Sequence, residues 1–261
     1  MDGATGILAT VGAVDIDVFA LPIVAVMSTG NELQESQLDL EKGRIRDTNR
    51  PTLMALFKQY GFHVSDAGIA VDDPDSLYQR MALALETADV LVSTGGVSMG
   101  EKDLLRDVLT SRFGAQIHFG RVNMKPGKPT TFATCQVKGK SKLIFGLPGN
   151  PVSAVVTSHL YVIPACRKMA GHVKFLPPKI KAELRGVEMY QLDPRTEYHR
   201  VEIQWEGNNP IPRAISTGSQ ISCRLLSMSK ANGLAILPPK SDKMTHISSG
   251  TLVDVIIIEQ L

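Results

Sequence analysis

Aromatic side chains are scarce in this chain: Phe, Trp and Tyr make up 5% of its 261 residues, and tryptophan occurs once. No run of cations interleaved with aromatics exists, nor any long basic block. Lys and Arg number 28 against 26 Asp and Glu, so the net charge of +2 gives nucleic acid no reason to bind. Cys135, Cys166 and Cys223 are too few and too far apart for a disulfide framework or a CxxC metal knuckle, and they read as reduced thiols. The histidines number 6 and are scattered without ligand spacing, which argues against a histidine metal site. No apolar run approaches the roughly 18 residues of a membrane span, and nothing near Met1 resembles a signal peptide. The expectation is a cytoplasmic protein. Neither a GxSxG elbow nor a Walker loop occurs.

What remains, 43% apolar and 21% charged, is the composition of a globular chain. PIVAVMS is apolar on successive residues, the mark of a strand covered on both faces. Leu53, Leu56, Phe57 and Tyr60 form a helical stripe between a start at Asn49-Arg50-Pro51 and a stop at Gly61. HVSDAGIAV reads as the next strand. Asp73-Pro74 opens a helix with Leu77, Met81, Ala84, Leu85 and Ala88 on one side. DVLVST follows as a strand, then a helix marked by Leu104, Leu105, Val108 and Leu109. IHFGRV, TTFAT and KLIFGL suggest a local antiparallel excursion, with VKGKSK as a solvated turn. PVSAVVTSHLYVIPACRKM is a long helix that Pro164 should kink or interrupt. This alternation predicts a mostly parallel α/β sheet with helices on both faces over residues 22–175, after a leading segment 1–21. Past the linker FLPPK, the strands KIKAELRGVEMY, YHRVEIQW and TLVDVIIIEQL predict a small all-β domain over 176–261.

In such sheets ligands bind beyond the carboxyl ends of the strands. Two loops there begin Ser-Thr-Gly: STGNEL, with Gly30 and Glu32, and STGGVSMGEKD, with Gly95, Gly96, Ser98 and Asp103. Glycines let backbone N–H groups approach an anion, and a following helix adds its positive end. With an acidic residue in each, the loops suit a phosphorylated ligand and a divalent cation. By position alone Asp103 reads as a helix N-cap or first-turn residue rather than a metal ligand. KPGKPTTF holds Lys125 and Lys128 on a turn stiffened by Pro126 and Pro129. Like charges this close are costly unless an anion or solvent separates them. Taken alone, the turn is an exposed loop with two wet lysines. GLPGNPVS, which ends a strand at Pro148 and starts a helix at Pro151 with Ser153 in its first turn, adds a second oxyanion cradle. From the residues alone Arg200 reads as a cross-strand ion-pair partner and Ser227 as a surface hydroxyl, rather than as ligands.

Together VAVMSTGNEL, GRIRDTNR, STGGVSMGEKD, IHFGRVNMKPGKPTTFA, FGLPGNPVSAVV, EYHR and STGSQISCRLLSMSKANG resemble the MoeA/gephyrin E-domain family, in wording nearest to the animal gephyrins. These are the molybdenum insertases of molybdenum-cofactor synthesis. The resemblance runs from about Gly6 to the C-terminus and implies a Mg²⁺-dependent step that hydrolyses adenylylated molybdopterin, releases AMP and places molybdate on the dithiolene. It implies that Asp103 handles Mg²⁺ and the pyrophosphate link beside the Gly95, Gly96 and Ser98 nucleotide loop. Lys125 and Lys128 would be catalytic, lining a molybdate pocket with Pro129, Ser153, Arg200 and Ser227; Pro148 and Pro151 frame it. Gly30 and Glu32 match the family's first loop, and Asp47 and Asn49 its RDTN motif.

The family carries two further N-terminal segments, of which only the remnant GILATVG stands before the α/β unit here. Its members act as homodimers whose site is completed by those parts, so weak turnover by this chain alone is expected. A second enzyme reading is molybdopterin adenylyltransferase, whose α/β core is similar; the β tail with Arg200 and Ser227 argues against it. A third is a scaffold module, since gephyrin E domains anchor inhibitory glycine and GABA-A receptors through a receptor-loop peptide. Tyr198, Pro238 and Pro239 match that groove, while Leu21 replaces its phenylalanine.

Overall fold

Successive apolar residues in Ile23–Thr29 are required because the strand they form, β1, has a helical layer on each side. Val24 and Val26 pack into one core with Leu53, Phe57, Ala154 and Val155. Ala25 and Met27 face the other, with Leu77, Met81, Leu85, Leu105 and Leu109. The computed structural model describes residues 2–96, 104–207 and 209–259. A helix α1 (Asp2–Thr10) precedes β1 (Ile23–Thr29). The short pair β2 (Leu33–Gln34) and β3 (Ile45–Arg46) then leads to α2 (Asn49–Gln59), β4 (His63–Ala70), α3 (Pro74–Thr87) and β5 (Val90–Thr94). Next come α4 (Leu104–Phe113), β6 (Gln116–Phe119), β7 (Met124–Lys125), β8 (Thr131–Val137) and β9 (Lys140–Leu147). The first sheet has the order β4-β1-β5-β9-β8-β6. Its β4, β1, β5 and β9 run parallel, and β8 and β6 turn antiparallel.

Local chemistry explains the boundaries. The Asp73 carboxylate caps α3 by accepting from the Ser76 N–H at 2.8 Å. Lys138 and Gly139 both have positive φ, 51° and 75°, and so make the two-residue turn that suits the twist of the β8–β9 hairpin. IHFGRV is shorter as a strand than its composition predicts, because the chain leaves the sheet after Phe119. Pro164 does not end its helix. The chain runs through α5 (Pro151–Thr157), a π turn (Ser158–Val162) and α6 (Ile163–Met169), with Ile163 N–H donating to Ser158 O. The wider turn just before the proline accommodates its missing N–H.

The second sheet comprises β10 (Lys179–Arg185), β12 (Thr196–Gln204), β13 (Arg213–Ser216), β14 (Gly233–Leu237) and β16 (Leu252–Ile257). A separate pair joins β11 (Met189–Gln191) to β15 (His246–Ser248). KIKAELRGVEMY is thus two strands, split where Gly186 turns with φ 98°. The order β13-β10-β16-β14-β12, with β12 also paired to β13, closes a small barrel around Leu184, Val201, Ile203, Val253 and Val255. One strand crosses between the two sheets. β7 lies along the chain between β6 and β8 yet adds to β12, with Met124 opposite Thr196 and Lys125 opposite Glu197. Met124, Val152, Val156, Leu234 and Ile256 pack together beneath it.

Candidate active site

The chain after β1 crosses to β4, on one side, while the chain after β5 crosses to the other. The carboxyl ends of β1 and β5 therefore flank the reversal point where open α/β sheets place ligands. The loops there nest at backbone distance. A Cβ on Gly95, whose φ is 81°, would lie 2.2 Å from the Thr29 carbonyl oxygen, so only glycine fits. The β9 loop joins them, because a Cβ on Gly149 would stand 3.6 Å from the Gly95 Cα. Asn49 ties in the start of α2 by donating from Nδ2 to Gly149 O at 2.7 Å.

Beside these loops, where β7 meets the barrel, lies an open cleft of about 660 Å³. Lys125, Lys128, Pro129, Pro148, Ser153 and Arg195 line it, and Gln220, Ile221 and Ser222 close it from the loop after β13. That loop is fastened across the start of α5: Asn150 Nδ2 lies 3.0 Å from Ser222 Oγ, and Val152 N–H donates to Ser222 O at 3.1 Å. One amide of the expected helix-terminal cradle is thereby already used. The turn itself is kept by Gly127 (φ 111°), whose carbonyl accepts from the Thr130 hydroxyl at 2.6 Å.

The two lysines differ in surroundings. Lys125 Nζ lies 2.9 Å from Glu197 and 3.5 Å from Asp193. Lys128 has no carboxylate within 4.0 Å among the described residues. Arg195 grips Asp193 with two hydrogen bonds, at 2.8 and 3.1 Å, and that grip holds the Asp193 carboxyl down at about 2. Burial pushes Glu197 up, but hydrogen bonds from His199 and Lys125 outweigh it and its pKa lies below the ordinary value. Arg200 is 1% exposed and forms the second layer: it donates to Ser227 Oγ at 3.2 Å and to Ile221 O at 3.4 Å. Burial lowers its pKa to about 10, which leaves it charged at neutral pH.

The comparisons agree with this geometry. Residues 25–168 match the family described as "Probable molybdopterin binding domain", and residues 187–258 match "MoeA C-terminal region (domain IV)". The chain belongs to the MoeA/gephyrin family of molybdopterin-binding proteins. A Dictyostelium discoideum protein named gephyrin is 38% identical over 282 residues, which take in 97% of this chain and 39% of that protein. A molybdopterin molybdenumtransferase of Nostoc is 35% identical over 258 residues, 97% of this chain and 56% of the relative. A crystal structure of a molybdopterin biosynthesis MoeA protein from Pyrococcus horikoshii superposes with a TM-score of 0.79 at 28% identity, covering 100% of this chain and 60% of that one. The chain thus spans from 39% to 60% of the length of these relatives.

In this MoeA/gephyrin chain Lys125, Lys128, Pro129, Pro148 and Ser153 share the cleft. Arg200 and Ser227 stand behind its Gln220–Ile221 wall, and Pro151 begins the helix under it. Gly30, Gly95, Gly96 and Asn49 border the strand-end loops, and Glu32 is exposed at their edge. Asp103 and Ser98 lie outside the described residues. Asp47 is 3% exposed, and its carboxylate accepts from Ser28 Oγ at 3.0 Å, from Arg50 Nε at 3.1 Å and from the Asn49 N–H at 3.1 Å. It anchors the start of α2 rather than facing the cleft. Reasoning from sequence missed Asp193, Arg195 and Glu197. Their charge alternation in DPRTE was visible, but nothing local shows that β7 will pair with β12.

Proposed function

We propose that this chain carries the substrate site of a molybdopterin molybdenumtransferase: molybdate in the Lys125–Lys128 cleft, adenylylated molybdopterin across the β1, β5 and β9 loops. The observation that carries this reading is the convergence of two lysines and a serine beside glycine-rich loops at the reversal point of the sheet. Molybdate is a tetrahedral dianion, which ammonium groups and hydroxyls bind well. Lys125 and Lys128 hold the anion, Ser153 donates to it, and Arg200 adds positive charge from behind. Gly95 and Gly96 let the pyrophosphate approach the backbone. Water cleaves the pyrophosphate link into AMP and molybdopterin phosphate, and the dithiolene sulfurs take the molybdenum from the adjoining cleft as oxide leaves it as water.

Among the described residues no group of three or more His, Cys, Asp or Glu is placed to hold a metal. Mg²⁺ asks for less, binding through one or two carboxylates plus substrate phosphates. Glu32 is an exposed carboxylate at the loop edge, and Asp103 would be the second. Glu32 supplies one oxygen donor of the kind Mg²⁺ takes when substrate phosphates provide the rest, and the ion, when bound, would neutralise phosphate charge.

Lys128 offers the cleaner test, because removing Lys125 would also strand Glu197. Lys128→Ala should weaken tungstate binding, measured by calorimetry, by at least tenfold, with the melting temperature nearly unchanged. An unchanged affinity refutes the anion site. Asp103→Asn should cut Mg²⁺-dependent AMP affinity far more than metal-free affinity; equal losses would make Asp103 a helix cap. Turnover of adenylylated molybdopterin with molybdate, abolished in both variants, tests the reaction itself.

A further inference from the structure

We propose that Glu197 and Asp193 are a built-in counter-anion for Lys125, one that an incoming oxyanion must compete with, so that the cleft holds its anion weakly enough to pass it on. The inference rests on the reading of the cleft as an oxyanion site. Three cations line the cleft: Lys125, Lys128 and Arg195. Two of them are already compensated. Lys125 lies 2.9 Å from Glu197 and 3.5 Å from Asp193, and Arg195 holds both oxygens of Asp193. Among the described residues Lys128 alone lacks a carboxylate partner on that lining, so the wall offers one uncompensated charge to a dianion that needs two.

The clamp is a fixed part of the fold. Glu197 is 4% exposed, on β12 directly opposite Lys125 in the β7 ladder, and its other oxygen lies 3.1 Å from His199 Nδ1. His199 is fixed in turn by Ser216 Oγ at 2.8 Å from its Nε2. The carboxylates therefore cannot swing away when an anion arrives. Lys125 Nζ must be shared between them and the ligand. A donor with three N–H groups can do so, at the cost of leaving two carboxylates close to a dianion. A site that binds an oxyanion only to surrender it to another molecule gains from that repulsion. A site meant for storage would lack it.

The probes are tungstate, a tetrahedral dianion, and perrhenate, a tetrahedral monoanion of similar size, each titrated calorimetrically into the full chain at neutral pH. Glu197→Gln keeps the shape and, through its one amide oxygen, an acceptor for Lys125, while its amide nitrogen faces His199 Nδ1 and the charge is removed. It should bind tungstate about tenfold more tightly, the effect of deleting one unit charge about 6 Å from a dianion through a water-like dielectric. Perrhenate should gain only about threefold, because the energy scales with the product of the charges. Glu197→Asp should restore the weaker wild-type binding. Asp193→Asn, at the second carboxylate, should shift both anions in the same direction and decides the matter if Glu197→Gln does not fold. Folded variants whose tungstate affinity is unchanged or weaker, or whose gain is equal for the two anions, overturn the proposal while leaving the cleft standing as an anion site. Absence of tungstate binding in every form, wild type included, overturns the site reading and this inference with it.

Discussion

Replacing Gly127 by Ala tests whether the lysine turn is held by sterics that no other residue satisfies. Two costs can be separated. The backbone at Gly127 has φ 111°, which costs an L-residue about 1–2 kcal/mol. The new Cβ would also lie 2.5 Å from Thr157 Cγ2 and 3.1 Å from Met124 Cε. Met124 can bend, but Thr157 cannot turn aside. It is fully buried, stiff at χ1, and its hydroxyl donates to Ser153 O at 2.7 Å. Overpacking of this kind costs about 1–3 kcal/mol more. The expected total is about 2–5 kcal/mol, a large share of a typical stability of about 5–15 kcal/mol. Gly139→Ala is the control: its φ is 75°, but nothing lies within 4 Å of the new Cβ, so only the backbone term of about 1–2 kcal/mol applies. Urea unfolding of both variants measures the difference, and tungstate titration should show Gly127→Ala alone losing affinity. Equal stability losses in the two variants would refute the steric account.

The other expectations concern the surroundings of the site. Burial lowers His159 to about 4, so between there and its ordinary 6.5 the unfolded chain binds more protons than the folded one. Stability should therefore fall by about 3 kcal/mol as pH drops through that window, and urea midpoints for His159→Phe should lose that slope. Asp193 is depressed to about 2, so its contribution is present above the ordinary carboxylate pKa and is lost as pH falls toward 2; Asp193→Asn should flatten the acid limb of the same titration. Asp47→Asn should cost about 1–3 kcal/mol of stability, because Asp66 and Glu35 still neutralise Arg50, with tungstate affinity intact. A loss of anion binding without loss of stability would place Asp47 at the ligand instead.

Periodicity made much of the α/β unit legible. Leu77, Met81 and Leu85 are buried on α3 as their spacing implies, and Asp73 caps it. Sequence gave less warning where distant segments set the outcome. PVSAVVTSHLYVIPACRKM continues through Pro164 because a π turn absorbs the missing donor, which no composition signals. The pairing of β7 with β12 depends on the closed barrel, so the carboxylate partners of Lys125 could not be read from KPGK. Nor could the loop after β13 be foreseen as the wall of the cleft. Its Ser222 meets Asn150 only through tertiary packing. The turn around Gly127, by contrast, was legible, because proline and glycine act on their own backbones.

The crossing of β7 into the barrel divides labour within the chain. The glycine loops belong to one sheet and depend on β1, β5 and β9, all complete before Gly149. Lys125 depends on a ladder whose other rail is β12, many residues later. A ribosome delivering this chain would thus complete the glycine-loop end first, and the lysine cleft would take shape only when the barrel strands emerged. Until then the lysine turn would be an open loop with neither clamp nor wall, and the cleft could not sequester an oxyanion from a half-made protein.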